Sequence, residues 1–403
     1  MGRPCGCTTR PILLRIALGL AAIALHAGDS EAQVHREDFL VPGDPGIELF
    51  VREVTVEGAS DPTRPPIILL HGARVPSVPS FDLPVRHGSL AEDLARAGHA
   101  VYLMDARGYG GSTRPPEMSE PPDRNAPLVR SAEVVRDVAA VVEWVRRRRG
   151  VERVALLGWA TGGHWLGYYA SLHPDRVSHL ILYNTLYAGS SEHDRLGHGS
   201  GLEDPARPGR FNFAAFGAYR LGTRESLFTS WDESIPVEDK ASWRDPQIRD
   251  AYGDLALRSD PTSFSRTPPS FRAPSGAMEE SYYLATGRQL WDASAIRAAT
   301  LIIASERDFW SRPEDRRRLQ EQLVHAPRVE VVVIPEATHY VHLDRPERGR
   351  TRFLEAVLTF LADDQAIPAP ISWSNAASCS RRSADRLPMT FRSASSRARI
   401  ASS

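Results

Sequence analysis

From Val41 onward, short apolar runs bounded by glycine or proline alternate with longer stretches in which apolar residues recur at helical spacing. The short runs predict strands at Glu48–Glu57, Pro66–Leu70, Ala100–Met104, Arg153–Leu157, His179–Tyr183, Thr300–Ala304 and Val329–Ile334. Several are uninterrupted Val/Ile/Leu runs, the pattern of parallel strands covered on both faces. The longer stretches predict helices at Ser89–Arg96, Ser131–Arg149, Gly162–Leu172, Pro313–Gln322 and Arg348–Leu361. Strand and helix in repeated succession imply an α/β fold, an open and mostly parallel sheet doubly wound by helices.

The rhythm breaks between Leu186 and about Ala298, where strands stop and aromatic residues accumulate: Phe211, Phe213, Phe216, Tyr219, Phe228, Trp231, Trp243, Tyr252, Phe264, Tyr282, Tyr283 and Trp291. An insertion this long between two core strands predicts a mainly helical cap over residues 187–298, with the α/β core formed by 33–186 and 299–364. Most of these aromatics are expected to build the cap's own interior, and a few to face a cleft. Residues 365–403 lose all periodicity and are rich in Ser, Ala and Arg, so they predict a disordered basic tail. At the other end, Arg3, Arg10 and Arg15 precede the apolar run IALGLAAIAL, and Ser30-Glu31-Ala32 offers small residues for cleavage. That is the pattern of a signal peptide over 1–32, too short to span a bilayer and implying a secreted or periplasmic protein; an uncleaved amphipathic N-terminus or a misassigned start is the alternative.

Composition narrows the partners. The formal net charge of -1 leaves no broad basic field for nucleic acid or an anionic membrane. Loss of a leader would remove Cys5 and Cys7 and leave Cys379 alone, so no internal disulfide is expected. There is no His/Cys cluster at zinc spacing and no dinucleotide glycine fingerprint, hence no metal or organic cofactor is implied.

The candidate chemistry begins at Leu156–Trp165, LLGWATGGHW. Gly158 and Gly162 flank Ala160 in the spacing of a tight strand-to-helix turn that lifts one side chain above a sheet, and that side chain is a methyl group. Four further stretches accompany the turn: IILLHGAR at 67–74, YLMDARGYGGS at 102–112, SERDFWSRPED at 305–315 and IPEATHYVHLDRP at 334–346. In order and spacing, over roughly residues 41–362, they resemble the α/β-hydrolase superfamily, in particular its capped esterase-like and lipase-like members.

The resemblance implies Asp308 as the acid, His339 as the base and Ala160 at the nucleophile position. It further implies an oxyanion site from the backbone N–H groups of Ala73 and Thr161, aided by the N-terminal end of the helix that follows. An imidazole can take a proton from an attacking group while a carboxylate fixes its tautomer and stabilises the imidazolium. Glu306 rivals Asp308, which could instead cap the following helix, and His342 rivals His339. Asp105 reads as a hydrogen-bonding post, Arg74 as a clamp for a substrate carboxylate or a surface residue, and His87, His99 and His173 as solvent-facing or structural. Alanine cannot form an acyl-enzyme, which leaves three readings. One is hydrolysis of an ester or lactone, a small carbonyl substrate, by water that His339 activates; Thr161 as a substitute nucleophile is disfavoured by the turn. The others are an inactive small-molecule binder and a serine hydrolase carrying a Ser-to-Ala change.

Overall fold

The computed structural model describes residues 1–2 and 32–362. Nearly all of the expected leader, and the expected tail over 365–403, lie outside the described residues. The strands are β1 (Val34–Pro42), β2 (Glu48–Val56), β3 (Ile67–Leu70), β4 (Val101–Met104), β5 (Val154–Trp159), β6 (Val177–Tyr183), β7 (Tyr219–Gly222), β8 (Phe271–Pro274), β9 (Ala299–Arg307) and β10 (Val329–Thr338). Eight of them form one sheet in the order β1-β2-β4-β3-β5-β6-β9-β10. The β1–β2 and β2–β4 pairs are antiparallel and the remaining pairs parallel.

The helices are α1 (Ser77–Phe81), α2 (Leu90–Arg96), α3 (Ser131–Arg149), α4 (Thr161–Leu172), α5 (Phe213–Phe216), α6 (Thr229–Ser234), α7 (Pro246–Arg258), α8 (Gly276–Ala285), α9 (Pro313–Gln322) and α10 (Arg350–Ala362). Every residue of β3, β4, β5 and β6 is buried, which is why these strands read as unbroken apolar runs: protein covers both faces. β1 escaped the pattern because it is an edge strand of mixed polarity, VHREDFLVP, with most of its side chains in solvent.

One expectation needs correction. Strands do not stop in the insertion: β7 and β8 pair antiparallel as a separate two-stranded sheet. At the end of α3, Arg148 and Arg149 both reach Glu53 on β2, Arg148 at 2.6 Å. The helix itself ends at Gly150, whose φ of 66° suits a left-handed cap.

The insertion packs into the same apolar interior as the sheet. Trp231 stacks on Tyr340 with ring centroids 4.5 Å apart, and its indole N–H donates to Asp344 at 2.9 Å. Sheet order also locates the cleft. The chain leaves β3 to form β4 on one side, then returns to form β5 on the other, so a crevice opens beyond the carboxyl ends of β3 and β5.

Behind that crevice, the loop after β4 is anchored by a buried ion pair. The Arg107 guanidinium donates to Asp137 on α3 at 2.5 and 2.9 Å, and the Arg107 backbone N–H donates to the same carboxylate at 3.0 Å. Asp137 is fully enclosed. Asp137→Ala leaves the buried Arg107 with only the more exposed Asp44, 2.7 Å from Nη2, as its carboxylate partner and is expected to cost about 3 kcal/mol; a denaturant midpoint within error of the parent protein would contradict this.

Candidate active site

Ala160 sits between β5 and α4 with φ 52° and ψ -114°, a backbone conformation that a side chain tolerates poorly. The flanking glycines make it possible. A Cβ on Gly158 would meet the Gly162 backbone at 2.5 Å, and one on Gly162 would meet the carbonyl oxygens of Leu70 and His71 at 2.2 and 2.5 Å. The turn is therefore pressed against the end of β3, and a Cβ on Gly72 would stand 3.5 Å from that of Ala160. The Ala160 N–H donates to Tyr183 at 2.8 Å and its carbonyl accepts from Gly163 at 3.1 Å.

Asp308 and His339 come together. The imidazole Nδ1 is 2.5 Å from Asp308 Oδ1, and both side chains are almost wholly enclosed. The same carboxylate accepts from the backbone N–H groups of Trp310 and Ser311 and from the Ser311 hydroxyl. It is not the cap of α9, where Asp315 fills the capping role. The His339 carbonyl accepts from Trp159 Nε1, the Tyr183 hydroxyl and Asn184 Nδ2 at 2.8 to 3.3 Å, so the loop is fixed at the histidine itself.

The rivals are placed elsewhere. His342 Nε2 lies 3.0 Å from the Ser80 carbonyl, and burial pushes its pKa down to about 3. Exposed Glu306 accepts from the Glu336 N–H. Asp105 accepts from the N–H and hydroxyl of Ser77 and from the Gly111 N–H, a post for its loop. His71, of the His-Gly pair, is fully buried with Nδ1 2.8 Å from the Gly72 carbonyl, and desolvation keeps its pKa low. His99 is buried against the Pro65 carbonyl, His173 packs at a tilt against the Tyr169 ring, and His87 is exposed.

Ala160, His339, Ala73 and Thr161 border one cavity of about 290 Å³. Thr161 opens α4, so its N–H precedes the first intrahelical bond, and its hydroxyl is buried without a hydrogen-bond partner among the described residues. The cavity walls also hold Arg74, Arg195 and Arg220. Of the twelve insertion aromatics named above, Tyr252 alone borders it; the aromatic lining comes mainly from the core, as Trp159, Phe309, Trp310 and Tyr340. Phe264, in contrast, is exposed. Trp159 and Tyr340 are adjacent in sequence to the turn and the histidine, a signal that could have found them. Arg220 lies in no motif.

Behind the turn, α4 is joined to α3 and α8 by a buried polar chain. Trp291 Nε1 donates to His164 Nδ1 at 2.9 Å, leaving Nε2 as the donor to the Ser131 oxygen at 2.8 Å; the Ser131 hydroxyl and N–H donate to Glu280. Desolvation raises the Glu280 pKa to about 7 and lowers that of His164 to about 3.

A model described as the alpha/beta hydrolase fold matches residues 65–346. The chain belongs to that family. Among solved structures it is similar to a thioesterase domain from the curacin biosynthetic pathway, at 14% identity and TM-score 0.50, covering 81% of this chain and 99% of that one. It is also similar to an esterase from Exiguobacterium antarcticum, at 17% identity and TM-score 0.49, covering 81% of this chain and all of that one. At such identities the likeness concerns the fold alone. No curated protein matches.

Two outcomes follow from the local geometry. Gly162→Ala forces a methyl group into backbone carbonyls and should cost several kcal/mol or prevent folding; a variant as stable as the parent would show that the turn is looser than described. Glu280, with its folded pKa raised above the unfolded value of about 4.5, binds more protons in the folded state, so its contribution to stability falls as pH rises from about 4.5 to 7. Glu280→Gln removes that fall. In urea titrations across this range the variant should gain on the parent as pH rises, and a constant difference between the two would refute the assignment.

Proposed function

We propose that this protein hydrolyses small esters or lactones by direct attack of water, without a protein nucleophile. His339 takes a proton from water as its oxygen bonds to the substrate carbonyl carbon, and the carbonyl electrons move onto oxygen. The N–H groups of Ala73 and Thr161 stabilise that oxyanion. When the intermediate collapses, the C–O bond to the leaving group breaks and His339 returns the proton to the departing alkoxide. Asp308 holds the imidazole in the needed tautomer throughout.

The observation that carries this reading is the 2.5 Å pairing of His339 with Asp308 at the wall of a cavity that Ala160 also lines. A base without such an orienting carboxylate would need no enclosed partner. Each oxyanion donor is worth about 3 to 4 kcal/mol in known cases, whereas loss of a serine nucleophile costs about a millionfold in a serine protease. A slow enzyme is therefore expected. The insertion over 187–298 would serve as its lid and the N-terminal leader would direct its export.

A second reading rests on the turn. Ala160 holds a conformation suited to presenting a nucleophile, and a serine there would meet the same base and the same amides. Here the chain is a serine hydrolase with its serine replaced by alanine.

Assays on short aryl esters and lactones separate these readings. The proposed mechanism predicts measurable turnover by the unaltered protein, reduced at least about a hundredfold by His339→Ala, with little gained from Ala160→Ser. Turnover appearing only in Ala160→Ser supports the second reading, and ligand binding without turnover in either form marks a binder. Native turnover that survives His339→Ala would falsify the water-activation mechanism.

A further inference from the structure

The cavity carries positive charge that the described residues do not balance. Arg220 projects from β7 of the insertion across to the loop after β3, where its Nη2 donates weakly to the Ala73 carbonyl at 3.4 Å. Its Nε is enclosed and has no hydrogen-bond partner among the described residues. No carboxylate among those residues lies within ion-pair distance of Arg220 or of Arg74, whose guanidinium donates to the Ser226 carbonyl at 3.2 Å. Nearby acids are spent: Asp308 on His339, Glu233 on Arg195 at 3.1 Å. Buried charges are ordinarily paired.

A purely structural arginine would show strong contacts to the groups it holds. Arg220 offers one long bond instead, and the hydroxyl of Tyr109, close enough to interact with its charge, is likewise enclosed without a hydrogen-bond partner among the described residues. Arg74 adds a second sign of constraint. Its φ is 131°, outside the range that residues with a side chain normally adopt, and the residue borders the cavity. Desolvation, followed by repulsion from Arg74, lowers the Arg220 pKa to about 10, which leaves it charged at neutral pH.

We propose that Arg220 and Arg74 bind a carboxylate on the substrate, so that the molecule hydrolysed is an acidic half-ester or a carboxylated lactone. This rests on the cavity being the substrate site of the proposed hydrolase. Position sharpens the chemistry. Ala73 supplies both the carbonyl that Arg220 touches and an N–H assigned to the oxyanion, so the carboxylate lies close to the reacting carbonyl. Planar guanidinium groups match a carboxylate with paired hydrogen bonds. Arg195 has its own carboxylate partner and takes no part.

The test is binding, read without turnover. Succinamate, with one carboxylate and one amide, is compared with succinamide, its neutral isostere, by calorimetry on the unaltered protein. Succinamate should bind at least about tenfold tighter, and the preference should weaken with added salt. Arg220→Gln should remove the preference, and Arg220→Lys should restore part of it, which a structural role would not produce. Equal affinities in the unaltered protein, or no detectable binding of succinamate, overturn the proposal, and neither result needs a variant that folds. A protein that hydrolyses no ester can still pass this test, and an esterase of neutral substrates can fail it. Failure here is thus separable from failure of the hydrolytic reading.

Discussion

The site depends on one close approach: α4 begins with its backbone pressed against the end of β3. The carbonyl oxygens of Leu70 and His71 occupy space that any side chain at position 162 would need, and the Gly162 backbone occupies the space beside Gly158. That contact forces residue 160 into its unusual conformation. It also sets the loop after β3 beside the first turn of α4, so Ala73 and Thr161 border one cavity. Alanine at 160 keeps the geometry because the strain belongs to the backbone. The strain of such a residue, of order 1–3 kcal/mol, must be met by surrounding packing, and here that packing is the fully buried β3, β5 and β6.

The acid and base are held by a different device. β9 and β10 are parallel neighbours, and both run past the point where their apolar patterns end, to Arg307 and Thr338. The loops that follow deliver Asp308 and His339 to each other. Three donors from β5, β6 and the residue after it then close on the His339 carbonyl, so the imidazole is referenced to the same strands that build the turn. The insertion is drawn into this frame through Trp231, which reaches Asp344 five residues beyond the histidine.

What could be read from the residues follows from how local each signal is. Buried parallel strands advertise themselves as apolar runs, and the turn at Gly158–Gly162 is a constraint on backbone space that only glycine meets, so both are legible in the chain. The pairing of Asp308 with His339 was readable through the family's order of motifs, whereas composition alone left Glu306 and His342 open. β1 was invisible because an edge strand can carry polar side chains on nearly every position. Arg220 was equally hidden. Its significance lies in a missing partner, and only three-dimensional neighbours reveal that. Which insertion aromatics face the cleft was hidden for the same reason: Trp231 and Phe211 are consumed by packing and Tyr252 borders the cavity, while Trp159 and Tyr340 enter it from the core.

The charge around the cavity links recognition to chemistry. In the proposed reaction, proton transfer from water to His339 moves charge within the site without changing its total: an imidazolium forms as the substrate carbonyl oxygen becomes an oxyanion. Asp308 meets the imidazolium by direct contact, and its carboxylate is held in place by two backbone N–H groups and the Ser311 hydroxyl. Arg220, at the Ala73 carbonyl, stands beside the N–H assigned to the oxyanion. A carboxylate held by Arg74 and Arg220 is set close to the carbonyl under attack, and the arginine charge that holds it also offsets its repulsion of the oxyanion. The same two arginines would then act twice, once in holding an anionic substrate and once in tolerating the charge that forms on it.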